Sequence, residues 1–246
     1  FVLPSTIADF QIRYFTPGHE NNLCGHATIG TIFALLREGK LDKKEFMIET
    51  KAGVLPISIY EKNHQTFITM QHAAPQFVPF EESLKTLAEA IGLQEQDIDT
   101  DYPTLYGSTG IWTLIVPIRD LASFGKMKPQ TATFPSILKE MPKMSIHPVC
   151  LDVRDMESTM HGRHFSSPYS GTIEDAVTGT ASGVMGAYYK KYVNPLLSLP
   201  ATLIVEQGHE IGKDGKVFVH VSGTAEQLDI SISGTAVYVK DIELVI

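Results

Sequence analysis

The stretch "RYFTPGHENNLCGHATIG", residues 13–30, ends a strand-like run and opens an apolar helix. It holds two histidines, a glutamate and one of the chain's two cysteines. A second copy of the same arrangement decides how it folds. Arg13-Tyr14-Phe15-Thr16-Pro17 is echoed by Arg163-His164-Phe165-Ser166-Ser167-Pro168. An acidic residue follows each, Glu20 in the first copy and Glu174 with Asp175 in the second. A glycine then starts a helix in both, at Gly25-His26-Ala27-Thr28 and at Gly179-Thr180-Ala181-Ser182. After each helix comes a β-rich stretch, residues 45–60 and 201–221. Two long copies are too few for a solenoid, which stacks many short units. They predict a duplicated α+β domain, two similar halves that each set many strands beside one main helix.

The helices are unusual. "ATIGTIFALL" (27–36) is apolar or small on nearly every face, which predicts burial all round. Its counterpart over 180–192 carries Gly179, Gly183 and Gly186 at spacings of four and three, on one face. A glycine face lets neighbouring backbone approach closely, so both helices suit enclosure by a curved sheet. An amphipathic helix is expected over Glu81–Ile91, closing at Gly92, and a further helical segment over 134–141. Pro75 and Pro79 mark 74–82 as a linker. Alternating β-branched residues in "TFITMQH", "WTLIVPI", "HPVCLDV" and "DISISGTAVYV" read as strands. The division expected is 1–78 for the first half, joined by a last strand over 236–246, and 79–235 for the second.

Apolar residues make up 43% of the 246 and charged residues 20%, the balance of a soluble globular chain. A net charge of −8 without any Lys/Arg cluster argues against nucleic acid as a partner. No run is long enough to span a bilayer, and no membrane partner is expected. Cys24 and Cys150 cannot build a disulfide framework, which predicts a reduced, cytoplasmic protein.

If the halves are related by a pseudo-twofold axis, the two helix starts face each other across a cleft. Free N–H groups and the positive ends of the macrodipoles would then hold an anion, a small carboxylate between Gly25-His26 and Gly179-Thr180. The competing reading is ordinary capping by Thr28, Thr178, Thr180 or Ser182. His26 can exchange a proton near neutral pH, and amide N–H groups beside it are expected to disfavour its cation. With Asp175 from the other half it makes a proton-shuttling pair. His161 and His164 stand three apart without HExxH or a third ligand, so no metal site is predicted. No P-loop, G-x-S-x-G elbow or dinucleotide fingerprint is present, and no cofactor is expected. Cys24, near a helix start, is open to a thiolate role.

The motifs "R-Y-F-T-P-x-x-E-x-x-L-C-G-H-A-T" and "E-D-A-V-T-G-T-A-S-G", in that order and spacing, resemble the PhzF-like isomerases of phenazine biosynthesis. The resemblance runs through "EQGHEIG" (206–212) to the last strands, departing at Gly212-Lys213-Asp214 where the family has G-R-P. It implies the diaminopimelate epimerase-like fold, two pseudo-symmetric halves with a barrel-like sheet around each central helix. It further implies His26 and Asp175 as catalytic residues, Gly25, Gly179 and Thr180 as substrate contacts, no cofactor, and a homodimer. The family's general base is a glutamate in an N-L-S-E-[ST]-x-F segment whose last residue matches Phe1, which places that base upstream of this chain. The expected activity is a cofactor-independent proton shift on a small carboxylate-bearing metabolite. Two alternatives are a small-acid binding protein without the base and a thiol-dependent epimerase using Cys24. In two-thiol epimerases of this fold the second thiol position falls near Thr178.

Overall fold

A computed structural model describes residues 1–15, 20–241 and 243. The first half is built on a hairpin. Strand Glu45–Thr50 alternates exposed and buried residues, with Phe46, Ile48 and Thr50 facing inward, and pairs antiparallel with Gly53–Lys62. Asn63 and His64, both at positive φ (52° and 59°), turn the chain into Gln65–Gln71. Two successive left-handed residues give the turn whose twist matches that of antiparallel strands.

Gln65–Gln71 then pairs antiparallel with Leu228–Gly234, a strand from the far end of the chain. From there the same sheet continues through Gly215–Gly223, Ala201–Gln207, Met160–Gly162, Ser145–Cys150, Trp112–Pro117 and Leu105–Ser108 to Gln76–Pro79. The strand that links the halves is therefore 228–234 and not the one expected over 236–246. Residues 235–241 and 243 carry no strand, and the rest of that expected strand lies outside the described residues. Gln76–Pro79 falls inside the stretch read as a linker. It forms the last strand of the sheet, where an edge position tolerates Pro79.

The second central helix, Gly179–Tyr188, is buried at every residue except Thr180, and a π-helical turn, Tyr189–Val193, extends it. Its glycines do what their spacing predicts. A Cβ on Gly186 would stand 2.4 Å from Val219 Cγ1, and one on Gly179 2.5 Å from Ile232 Cδ1. The first central helix, Gly25–Arg37, departs from expectation: only Gly25, Thr28, Ile29 and Ile32 are buried, and Ala34 is exposed. Its sequence is apolar all round, but the described strands of the first half cover it from one side.

Both central helices share one core, in which Ile29 and Ile32 join Ile48, Ile68 and Met70 with Val184, Met185, Val219 and Ile232. A second core lies on the other face of the second half's sheet. Along Trp112–Pro117, Ile115 enters the first core while Leu114 and Val116 enter the second. Three short helices cover that outer face. Leu84–Ala90 starts at Ser83, whose Oγ accepts from the Thr86 amide, and the chain leaves it at Gly92 (φ 79°). Leu121–Lys126 had no counterpart in the sequence reading; Asp120 caps it by accepting from the Ser123 amide at 2.8 Å. Phe134–Ile137 is shorter than the expected 134–141, because Leu138 leaves helical geometry with its side chain fully buried in the second core. No helix among the described residues is long and apolar enough to cross a membrane.

Candidate active site

The duplication is visible atom by atom. Tyr14–Phe15 pairs with Glu20–Asn21, and His164–Phe165 pairs with Glu174–Asp175, in the same register. Arg13 grips Glu20 with two hydrogen bonds, Nε to Oε1 at 2.8 Å and Nη2 to Oε2 at 3.0 Å. Arg163 grips Glu174 likewise, at 2.8 and 2.7 Å. Each guanidinium also sits over the phenylalanine two residues on, 5.1 Å from Phe15 and 4.9 Å from Phe165. The Arg13 and Lys51 cations hold the Glu20 carboxyl down at about 2. The sequence reading noted both acids without pairing them; the signal was an arginine and a glutamate bracketing the same short hairpin twice. Thr16 and Pro17 of the motif lie outside the described residues.

Each hairpin leads to a helix start, and the two starts touch. A Cβ on Gly25 would lie 3.5 Å from Gly179 Cα, with Ile232 lying against both glycines. Neither preceding residue, Cys24 or Thr178, caps its helix with its side chain. Thr28 Oγ1 instead donates back to the Cys24 carbonyl at 2.8 Å, and Ser182 Oγ to the Thr178 carbonyl at 3.0 Å. Thr178 Oγ1 donates to Asp175 Oδ2 at 2.7 Å, and the Thr180 carbonyl accepts from Thr109 Oγ1 at 3.4 Å. The capping reading is thus replaced by a geometry in which two helix starts meet with uncapped leading amides, a setting suited to an anion.

His26 and Asp175 come together there, Nδ1 to Oδ2 at 3.9 Å. Cys24 Sγ lies 3.5 Å from His26 Nε2. The His26 pKa is pushed up to about 9, first by the Cys24 sulfur and then by the Asp175 carboxylate and the Val177 carbonyl, against partial desolvation. This direction is opposite to the one expected from the helix amides alone. Asp175 is held from behind by Gln207, which is fully buried. Gln207 Nε2 donates to the Asp175 carbonyl at 2.7 Å, and its Oε1 accepts from the Thr178 amide at 3.2 Å. His164, paired across the hairpin with Asp175, meets His147 ring nitrogen to ring nitrogen at 3.1 Å. Burial pushes His164 down to about 4 and His147 well below its ordinary value, so both stay neutral. Thr109 in turn bonds the buried His72, Oγ1 to Nδ1 at 2.9 Å. Gln207, Thr109 and His72 were not singled out as site residues, since only strand pairing brings them to the helix starts.

Two halves, one helix in each, with the helix starts abutting beside an imidazole–carboxylate pair define a two-lobed α+β protein of the epimerase-like class. The chain belongs to the phenazine biosynthesis-like protein family, whose model matches residues 1–241. It is 50% identical over 239 residues to the uncharacterized isomerase YfhB of Bacillus subtilis, covering 97% of this chain and 80% of that one. To the trans-2,3-dihydro-3-hydroxyanthranilate isomerase of Pseudomonas aeruginosa it is 26% identical over 237 residues, 95% of this chain and 79% of that one. Among solved structures, the Bacillus anthracis phenazine biosynthesis protein of the PhzF family superposes with a TM-score of 0.95 at 55% identity, over 100% of this chain and 84% of the other. A hydroxyproline epimerase from Agrobacterium vitis shares the fold, with a TM-score of 0.60 at 13% identity over 95% of this chain and 70% of that one. The architecture expected from the repeat is therefore the one the relatives have, and those relatives are named as isomerases and epimerases.

Proposed function

We propose that this protein is an isomerase that moves a proton on a small carboxylate-bearing metabolite held between the two helix starts, with no metal or organic cofactor taking part. The observation that carries this reading is the contact of Gly25 with Gly179 beside the His26–Asp175 pair. The substrate carboxylate rests on the leading amides of the two helices, at Gly25 and at Gly179 and Thr180. With its pKa near 9, His26 is cationic at neutral pH and serves as a donor, giving its proton to the carbanion or enol that forms. Asp175 orients the imidazolium and takes part in returning the proton. Removal of the proton from carbon falls to the glutamate that the family resemblance sets upstream of Phe1.

The test is proton NMR in D2O on protein extended upstream of Phe1 to include that glutamate, following loss of C–H signal across a panel of small hydroxy, amino and unsaturated carboxylates. Exchange is expected for at least one of them, falling by roughly 100-fold or more in His26→Asn and Asp175→Asn, the scale of general acid–base catalysis. Binding of carboxylates without exchange would instead establish a small-acid binding protein. A second reading has its own observation, Cys24 Sγ at 3.5 Å from His26. If the thiol is the base, Cys24→Ala abolishes exchange at every pH; if His26 and Asp175 act as described, exchange survives that change, with the pH range over which His26 is cationic moved downward.

A further inference from the structure

Strand Met160–Gly162 runs parallel to Ala201–Gln207 and sets His161 opposite Glu206. The chain then turns at Gly208 (φ 91°) into the short turn His209–Ile211, which brings His209 and Glu210 up to His161. His161 and Glu206 are fully buried, with His161 Nδ1 2.7 Å from Glu206 Oε1 and Nε2 3.2 Å from Glu210 Oε1. One nitrogen of each histidine and one Glu206 oxygen lie within 4.8 Å of one another. A separate observation comes from His209, whose Nδ1 is buried with no hydrogen-bond partner among the described residues. A buried polar atom without a partner is rare enough to need a reason, and an ion is one such reason. Neighbours in sequence offer His161 no third ligand, but strand pairing brings Glu206 and the following turn brings His209 beside it.

Two imidazoles and a carboxylate are a donor set that zinc takes. We propose that His161, Glu206 and His209 bind one divalent cation of the zinc type, fastening strand Met160–Gly162 to the turn after Gln207. The ion replaces the proton shared by His161 Nδ1 and Glu206, which passes to solvent. Glu206 is already oriented for this by the main-chain amides of Arg154 (2.6 Å) and Asp155 (3.0 Å). The site is separate from the helix-start cleft, since Glu206 and Gln207 point to opposite sides of their strand and Gln207 is the one that holds Asp175.

The experiment uses tag-free full-length protein, stripped with EDTA, dialysed against zinc chloride and passed through gel filtration. Elemental analysis is expected to find about one zinc per chain, and cobalt(II) in its place a visible d–d absorption band. His209→Asn should weaken zinc binding at least ~10-fold, while His64→Asn, in the exposed turn, leaves it unchanged. Wild-type protein that retains no zinc, or His209→Asn retaining as much as wild type, overturns the proposal. Should His209→Asn fail to fold, the wild-type cobalt spectrum decides, and absence of the band overturns it.

Discussion

Replacing Gly186 by alanine sets two effects of opposite sign against each other. In the interior of a helix, Gly→Ala stabilises by about 1 kcal/mol through backbone entropy alone. Here the new Cβ would stand 2.4 Å from Val219 Cγ1, 3.3 Å from Val219 Cβ and 3.4 Å from Val221 Cγ2. Carbon atoms rest at about 3.5–4.0 Å, so helix and strand must part by roughly 1 Å. Val219 is fully buried and β-branched, and cannot rotate out of the way at little cost. Overpacking of this kind costs about 1–3 kcal/mol, and offsetting the propensity gain leaves a net loss of up to about 2 kcal/mol. For a chain of this size that lowers Tm by up to roughly 8 °C. Gly30, in the first central helix with nothing within 4 Å of its Cβ position, is the control. Gly30→Ala should gain about 0.5–1 kcal/mol. Urea and thermal denaturation of both variants read the difference. If Gly186→Ala is more stable than wild type, as Gly30→Ala should be, the sheet does not press on that helix as described.

The two Arg–Glu forks should differ in what they contribute. Arg163→Met leaves Glu174 unpaired where both side chains are under 10% exposed, and should cost about 3–5 kcal/mol in urea denaturation. Arg13→Met, where the arginine is 41% exposed and screened by solvent, should cost much less, and equal losses would refute the assignment of burial to one copy. His26 should titrate near 9 by NMR and move towards its ordinary value in Cys24→Ala; an ordinary midpoint in wild type would mean the Cys24 contact is not made in solution. Because its folded pKa is raised, the stabilisation His26 brings is fully present below its ordinary pKa of 6.5 and fades as pH rises through about 9.

What could be read from the sequence was whatever the duplication repeats. Gly25 and Gly179 marked both helix starts, and the 179, 183, 186 spacing marked the face on which strands close in. Features resting on partners far apart in the chain could not be read. Nothing local in "MHGRH" (160–164) or "EQGHEIG" (206–212) joins His161 to Glu206; a parallel strand pairing does. The turn residues at 75 and 79 argued for a linker, yet the open edge beside Leu105–Ser108 drew that stretch into the sheet. The first central helix was misjudged because apolar composition says how many faces can be buried, not how many strands arrive to bury them. The His26 pKa runs against the direction expected from the helix amides because the Cys24 sulfur two residues away, the larger cause, and then Asp175 outweigh them.

The matched hairpins have one further consequence. By register, Asp175 occupies in its half the place that Asn21 occupies in the other. Likewise Thr178 answers to Cys24, and Thr180 to His26, at the two helix starts. The scaffold is close to mirror-fair between its halves, but its chemistry is lopsided. A small molecule lying between the helix starts would meet a thiol and an imidazole on one flank, and hydroxyls and a carboxylate on the other. Turned end for end it would fit the same space and find the wrong partners, so the departures from symmetry are what would fix the handedness of its seat.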